Sequence, residues 1–267
     1  MSPAGARVRG ARAPAWRSGP LRLLAERRPV MNVTAAASGR RYALVVSHKA
    51  KGLTMEFTLS TIDGAVLWSG HASTHAEAVE SAARSRGNLD RVSLRGADLR
   101  GANLAGLSLR GADRTQADPT AAHLVEANLN EALLVDACLH KTRLKRAWLD
   151  SACLFRANMT KVRLIEADLT DANLTAADLS GAAVMDADLT RACFNEAIMR
   201  RACLRGASAI GAAFRHAMLD DASLLGIDLT GADLRGASLT GARMAGAILD
   251  GAAFDLADAA AGNGVTP

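Results

Sequence analysis

From Leu89 to Phe254 a bulky apolar residue falls on every fifth position, usually with an alanine two residues before it. In blocks of five the centre is Leu at 24 of 34 sites and the position two before it is Ala at 28 of 34, so the register holds without an insertion. Neither regular element has this period, because helices repeat at about 3.6 residues and strands at about 2. A fixed longer period, with large and small apolar residues in set places, predicts a solenoid whose coils each bury a face on the next. A narrow tube has room for one large side chain per side and one small one per corner. Leu fills the first place and Ala the second. Each fully buried centre contributes about 1.5–3 kcal/mol, and the predicted core includes Leu99, Leu104, Leu129, Leu134, Leu139, Leu154, Leu169 and Leu174.

The units Ala97-Asp98-Leu99-Arg100-Gly101, Ala102-Asn103-Leu104-Ala105-Gly106 and Ala232-Asp233-Leu234-Arg235-Gly236 match an A(D/N)LXX pattern. On these residues the chain resembles the pentapeptide repeat proteins, over roughly two thirds of its length. The resemblance implies an all-β solenoid, a right-handed quadrilateral β-helix with four pentapeptides to a coil. It also implies that the centre and the Ala two before it point inward and the other three residues outward. Columns of centres then recur every fourth block, which places Phe194, Phe214 and Phe254 on one side as core filling, with Leu234 between the last pair. At about 4.8 Å per coil the rod is roughly 40 Å long. The Asp or Asn before each centre reads as structural, since short polar side chains bond nearby turn backbone.

One place in the register is weak. Arg114 and Pro119 occupy consecutive centres. A buried, unpaired guanidinium is costly, and proline removes a ladder donor. The expectation is a distorted coil or bulged loop with Arg114 turned outward. Such a coil is either a tolerated defect or a protruding loop that contacts a partner, as loops do in some members of the family it resembles.

Ordinary periodicities precede the rod. Tyr42–Ser47 reads as a strand, and Leu53–Thr61 alternates with Leu53, Met55, Phe57 and Leu59 on one face. The Asp63-Gly64 turn leads to a third strand near Ala65–Ser69. Thr74 and Glu77 form a capping-box pattern for a helix from His75 to about Ser85, which Gly87 ends. The chain therefore divides into a basic, disordered tail (1–39), a small N-terminal ββ(β)α capping module (40–86), the repeat β-helix (87–257) and a disordered end (258–267). One helical turn at Asp255–Ala260 is an expected thin cap. The module covers the first coil, whose open edge otherwise invites aggregation.

Charge changes this picture little. The net charge of +5 comes from residues 1–30, which hold seven Arg and one Glu. The rod itself is close to neutral, so direct nucleic-acid binding is not expected of it. The tail lacks the apolar segment of a secretory signal, and its composition fits a transit peptide, a basic arm or a start misassigned upstream of Met31. No apolar run is long enough for a membrane span. Sequence motifs for a phosphate loop, metal ligands or a nucleophile are absent, so no enzyme and no cofactor or metal are expected. His71 and His75 straddle the predicted helix start and do not form a metal pair. Cys138, Cys153, Cys193 and Cys203 all take the outward place before the centre. Only Cys153 and Cys193 share a column, two coils apart at about 10 Å, beyond the reach of a disulfide. Free thiols suit a reducing cytoplasm.

Function must then lie on the outward positions, which are uneven. The last residue of the block is Gly from 96 to 111 and mostly Gly again from 206 to 251, but nearly always charged or polar from Gln116 to Arg201. Lys141, Arg143, Lys161 and Arg163 repeat on one corner, with Arg201 further along the same ridge. A neighbouring ridge carries Glu166, Asp168, Asp186 and Asp188. Like charges one coil apart cost stability, so their repetition points to a binding surface. Two functions compete: an interaction rod for a protein partner not readable here, and, implied by the family, a duplex-mimicking inhibitor of DNA gyrase that protects it from quinolones. The near-neutral rod and the lack of a long C-terminal helix for dimerisation argue against the second. Whether the chain forms a homodimer stays open.

Overall fold

The computed structural model describes residues 44–47 and 55–255. The expected tail, the C-terminal end and the helical turn at 255–260 lie outside the described residues, apart from Asp255.

Three antiparallel strands open the described chain: β1 (Leu44–Ser47), β2 (Met55–Ser60) and β3 (Val66–Ala72), in the order β1-β2-β3. The alternation in β2 buries Phe57 and Leu59 and leaves Met55 half-buried. Gly64, at a φ of 90°, makes the turn between β2 and β3. Helix α1 (His75–Arg86) begins where the capping pattern places it. The Thr74 hydroxyl accepts from the Glu77 amide at 3.1 Å, and the Glu77 carboxylate accepts from the Ser73 amide. Gly87, left-handed at φ 69°, donates to the Ala83 carbonyl and ends the helix. The module joins the rod by backbone: Thr61 bridges Val92, and the amides of Ile62 and Ser93 donate to Arg91 and Ser60.

From Asn88 onward the chain coils with a period of four pentapeptides. Parallel bridges join the residues before the centres to their counterparts one coil on, from Asn88–Ser108 to Asp233–Ala253, with one gap. Centres and the Ala two before them are buried along the tube, and the Leu centres at 99, 104, 129, 134, 139, 154, 169 and 174 are at most 1% exposed. Phe194 stacks on Phe214 at 5.0 Å between centroids and 5° between planes, while Phe254 is half-buried in the last described coil. Each corner is a turn in which the amide of the next small residue donates back to the centre, as Ala102 does to Leu99. Positive φ at the second central residue alone makes these turns type II. The Asp and Asn before the centres bond the turn, as Asp113 accepts from the Thr115 amide and Asn173 from the Thr175 amide.

The coil of Arg114 and Pro119 corrects one expectation. It forms no bulge, and Arg114 points inward with none of its surface exposed. Its amide donates to Leu133 at 2.7 Å and the Leu94 amide donates to Asp113, so backbone bonds to both neighbouring coils hold the centre inward. Turning the side chain out would break that ladder. The cost is visible: Nε, Nη1 and Nη2 have no hydrogen-bond partner, and burial pulls the guanidinium down to about 10. At Pro119 the loss is local. The bridge between 118 and 138 is missing from an otherwise continuous series, and the Thr120 hydroxyl reaches the Cys138 carbonyl only at 3.5 Å.

Candidate functional site

The residue at the second turn position lies in the left-handed region throughout the rod, at φ between 55° and 73° from Arg91 to Gly251. Glycine is the residue that takes this conformation without strain. The two ends of the rod use it: at Gly206, for example, φ is 68° and a Cβ would lie 2.4 Å from Asp186 Oδ1. The middle does not. From Gln116 to Arg201 the same conformation is held by Glu, Asp, Lys, Arg, Ser, Ala and Gln, with Gly181 the exception.

Most charges on these ridges are paired across coils. Arg156 grips Asp136 through two bonds at 2.8 and 2.7 Å, and Arg191 grips Asp171 through two at 2.8 and 2.6 Å. These contacts hold both carboxyls below the usual range and both guanidinium groups above theirs. Arg146 pairs with Glu126, and Arg201 approaches Asp221 at 3.7 Å.

Against that pattern the four cations singled out in the sequence stand apart. Lys141 and Lys161 are left-handed turn residues one coil apart, and Arg143 and Arg163 are joined by a parallel bridge on the adjoining face. All four are exposed, and among the described residues their side chains have no hydrogen-bond or ion-pair partner. The acidic ridge is more engaged. Glu166 takes Lys145 at 3.2 Å, while Asp168 and Asp188 each accept from a turn amide at 2.9 Å, those of Thr170 and Thr190. Asp186 is exposed. The structure therefore brings Lys141, Arg143, Lys161 and Arg163 together, and leaves Arg201 two coils away beside its own carboxylate partner.

Exposed apolar residues were missed in the sequence. Trp148 is 49% exposed in the place before a centre, where Asp or Asn is usual, and Leu133 is 42% exposed in the equivalent place. Their signal was a large apolar residue in a polar slot of the repeat. A groove of about 460 Å³ between α1 and the rod is lined by Glu80, Arg84, Asn103, Gly106 and Leu107 among others, with no Ser, Thr, Cys, Lys or His in its lining. Among the described residues no His, Cys, Asp or Glu cluster is placed to hold a metal ion. The four cysteines are free thiols, and no described helix is long and apolar enough to cross a membrane.

Among solved structures, HetL, a pentapeptide repeat protein involved in heterocyst differentiation regulation in Nostoc sp. strain PCC 7120, is 30% identical. That match covers 62% of this chain and 88% of HetL, with a TM-score of 0.35. QnrB1, a plasmid-mediated fluoroquinolone resistance protein, is 18% identical over 64% of this chain and 84% of its own, with a TM-score of 0.40. A pentapeptide repeat protein of the Arabidopsis thaliana thylakoid lumen is 26% identical over 50% of this chain and 68% of its own, with a TM-score of 0.16. Among curated proteins there is no significant match. The family model of pentapeptide repeats matches residues 86–118, 120–149, 152–191, 167–206, 197–236 and 222–258. These matches trace the coils just described, and the chain belongs to the pentapeptide repeat family.

Proposed function

We propose that this chain is a non-enzymatic scaffold that presents the outer surface of its middle coils to a protein partner. The observation that carries this reading is the distribution of residues in the left-handed turn. A side chain there costs on the order of 1 kcal/mol relative to an unstrained backbone. The rod mostly avoids that cost at its ends, where glycine recurs except at Arg91, His216 and Asp221, and accepts it from Gln116 to Arg201, where charged side chains project. Strain retained at exposed positions is a mark of function more than of folding.

The competing reading is a duplex mimic that protects a type II topoisomerase. Duplex DNA carries one charge per about 1.7 Å. Residues 87–257 hold 19 basic and 21 acidic residues, and the unpartnered cations on one face depart further from an acidic rod. In the scaffold reading, residues 40–86 cap the first coil, no cofactor is needed, and the reducing cytoplasm is the compartment four free thiols suit.

Crosslinking of the full chain in its native cells tests the proposal. Crosslinks to a partner should concentrate on the coils between residues 116 and 201. An even spread over the glycine-bearing ends would contradict it. Potent inhibition of gyrase supercoiling by the purified chain would favour the competing reading.

A further inference from the structure

Resting on the scaffold reading, we infer that the face carrying Arg143 and Arg163 is a docking strip for an extended acidic polypeptide segment, with Asp or Glu at alternate positions. The rod pairs ridge charges of opposite sign across coils at several places, as at Asp136–Arg156 and Asp171–Arg191. At Lys141, Arg143, Lys161 and Arg163 it stacks cation on cation instead, beside a ridge that stacks Glu166 under Asp186 and Asp168 under Asp188 but engages all of these except Asp186. Lys141 lies under Lys161 and Arg143 under Arg163, with no carboxylate satisfying any of them among the described residues. Stacked like charges destabilise the free rod, so an opposite charge from outside relieves what the fold leaves uncompensated.

The spacing suits a strand. On each of two coils the cations are two residues apart, Lys141 with Arg143 and Lys161 with Arg163. An extended peptide places side chains on one face every second residue, about 6.6 Å apart. The cation columns stop at Gly181 and Ala183, which occupy the next coil in the same columns and leave a low step beside Lys161 and Arg163. Lysine itself is concentrated here. The chain has five lysines, and Lys141, Lys145 and Lys161 are three of them.

The surroundings favour polypeptide over nucleic acid. The turn that borders Arg163 presents half-buried Ile165, and the next coil presents half-buried Met185 in the same column. These offer a peptide apolar contact beside the charges. The residues after them, Glu166 and Asp186, are acidic and exposed, and confine the carboxylates of such a segment to the four cations.

The test uses the full chain and two labelled probes, poly-L-glutamate and a single-stranded oligothymidylate, with binding followed by fluorescence anisotropy. Poly-L-glutamate should bind the wild-type chain, and the combined variant Lys141→Gln, Arg143→Gln, Lys161→Gln, Arg163→Gln should weaken it about tenfold, the sum of four exposed charge contacts. The control Arg156→Gln, Arg191→Gln, which removes cations already paired within the rod, should leave it unchanged. Carbodiimide coupling of the wild-type complex gives a second readout that needs no variant. It joins lysine amines to carboxylates and should map to Lys141 and Lys161 in preference to Lys49, Lys51 and Lys145. Binding that the combined variant retains, or coupling that avoids Lys141 and Lys161, overturns the docking strip and leaves the scaffold reading to its own test. Tighter binding of the oligothymidylate through the same four residues overturns both.

Discussion

The hydroxyl of Thr142 donates to the carbonyl of Pro119 at 2.8 Å, and it does so from a fully buried corner that alanine fills in most other blocks. This bond ties the coil that carries Pro119 to the next, where the proline has removed a ladder donor. In the same coil Arg114 is buried with its three guanidinium nitrogens unpartnered. The two features make this coil the costliest of the rod.

Arg114→Leu should therefore stabilise the protein. Replacing buried charged groups by hydrophobic residues that pack typically gains about 1–4 kcal/mol. Leu is what fills most other centres, and thermal denaturation should show a rise of several degrees. The sign with pH follows from the lowered guanidinium, held at about 10. The group is charged at neutral pH, so its burial penalty is present in full there and fades only as pH rises above 10. The gain from Arg114→Leu should accordingly shrink in alkali. Thr142→Ala should lose about 1 kcal/mol, the worth of a buried hydrogen bond.

Leu174 and Thr175 separate inside from outside within one turn. Leu174 is fully buried, while Thr175 lies at the surface with its amide donating to Asn173. Leu174→Asp buries an unpaired carboxylate and should cost at least about 3 kcal/mol. Thr175→Asp should cost under about 0.5 kcal/mol. Chemical denaturation of the two variants checks the difference.

Phe194 and Phe214 are the largest apolar side chains fully buried in the tube. Phe214→Ala should cost about 3–5 kcal/mol, because the stacked ring of Phe194 then faces a void. Phe214→Leu restores the common centre and should cost under about 1.5 kcal/mol. The two midpoints in a denaturant series measure the gap.

Asp98 is held at about 2 chiefly by its hydrogen bond from Arg100. A carboxyl lowered in the folded state contributes stability that is present above its unfolded value, near 4, and lost as pH falls through its folded one. Asp98→Asn should therefore flatten the fall in melting temperature between about pH 4 and pH 2. Melting curves of both proteins across that window test it.

The coil was legible because one five-residue rule fixes which residues face inward, and every ladder bond enforces the same phase. Leu99 and Ala97 need no tertiary information to be placed. Arg114 was misplaced for the reason that makes the rest legible. Its chemistry argues for the surface, but backbone bonds to Leu133 and from Leu94 decide the direction, and these belong to neighbouring coils rather than to Arg114 itself. The stacked cations could be read from the spacing of Lys141 and Lys161. What spacing could not show was that Glu166 is already taken by Lys145 while the four cations have no partner. Trp148 sits in the outward slot before a centre, where the five-residue rule sets direction but not polarity, so its exposure follows only from the coil.

The most direct measurement is the melting temperature of the full chain with Lys141→Gly and Lys161→Gly combined. Both residues hold left-handed turns at φ 56° and lie one above the other without partners. If these side chains are kept for a partner and not for the fold, glycine removes both strain and repulsion. The melting temperature should then rise by about 2–6 °C, given a gain of about 1–2 kcal/mol in a rod of this size. An unchanged or lower melting temperature would mean that the lysines stabilise the rod itself, and would contradict the account.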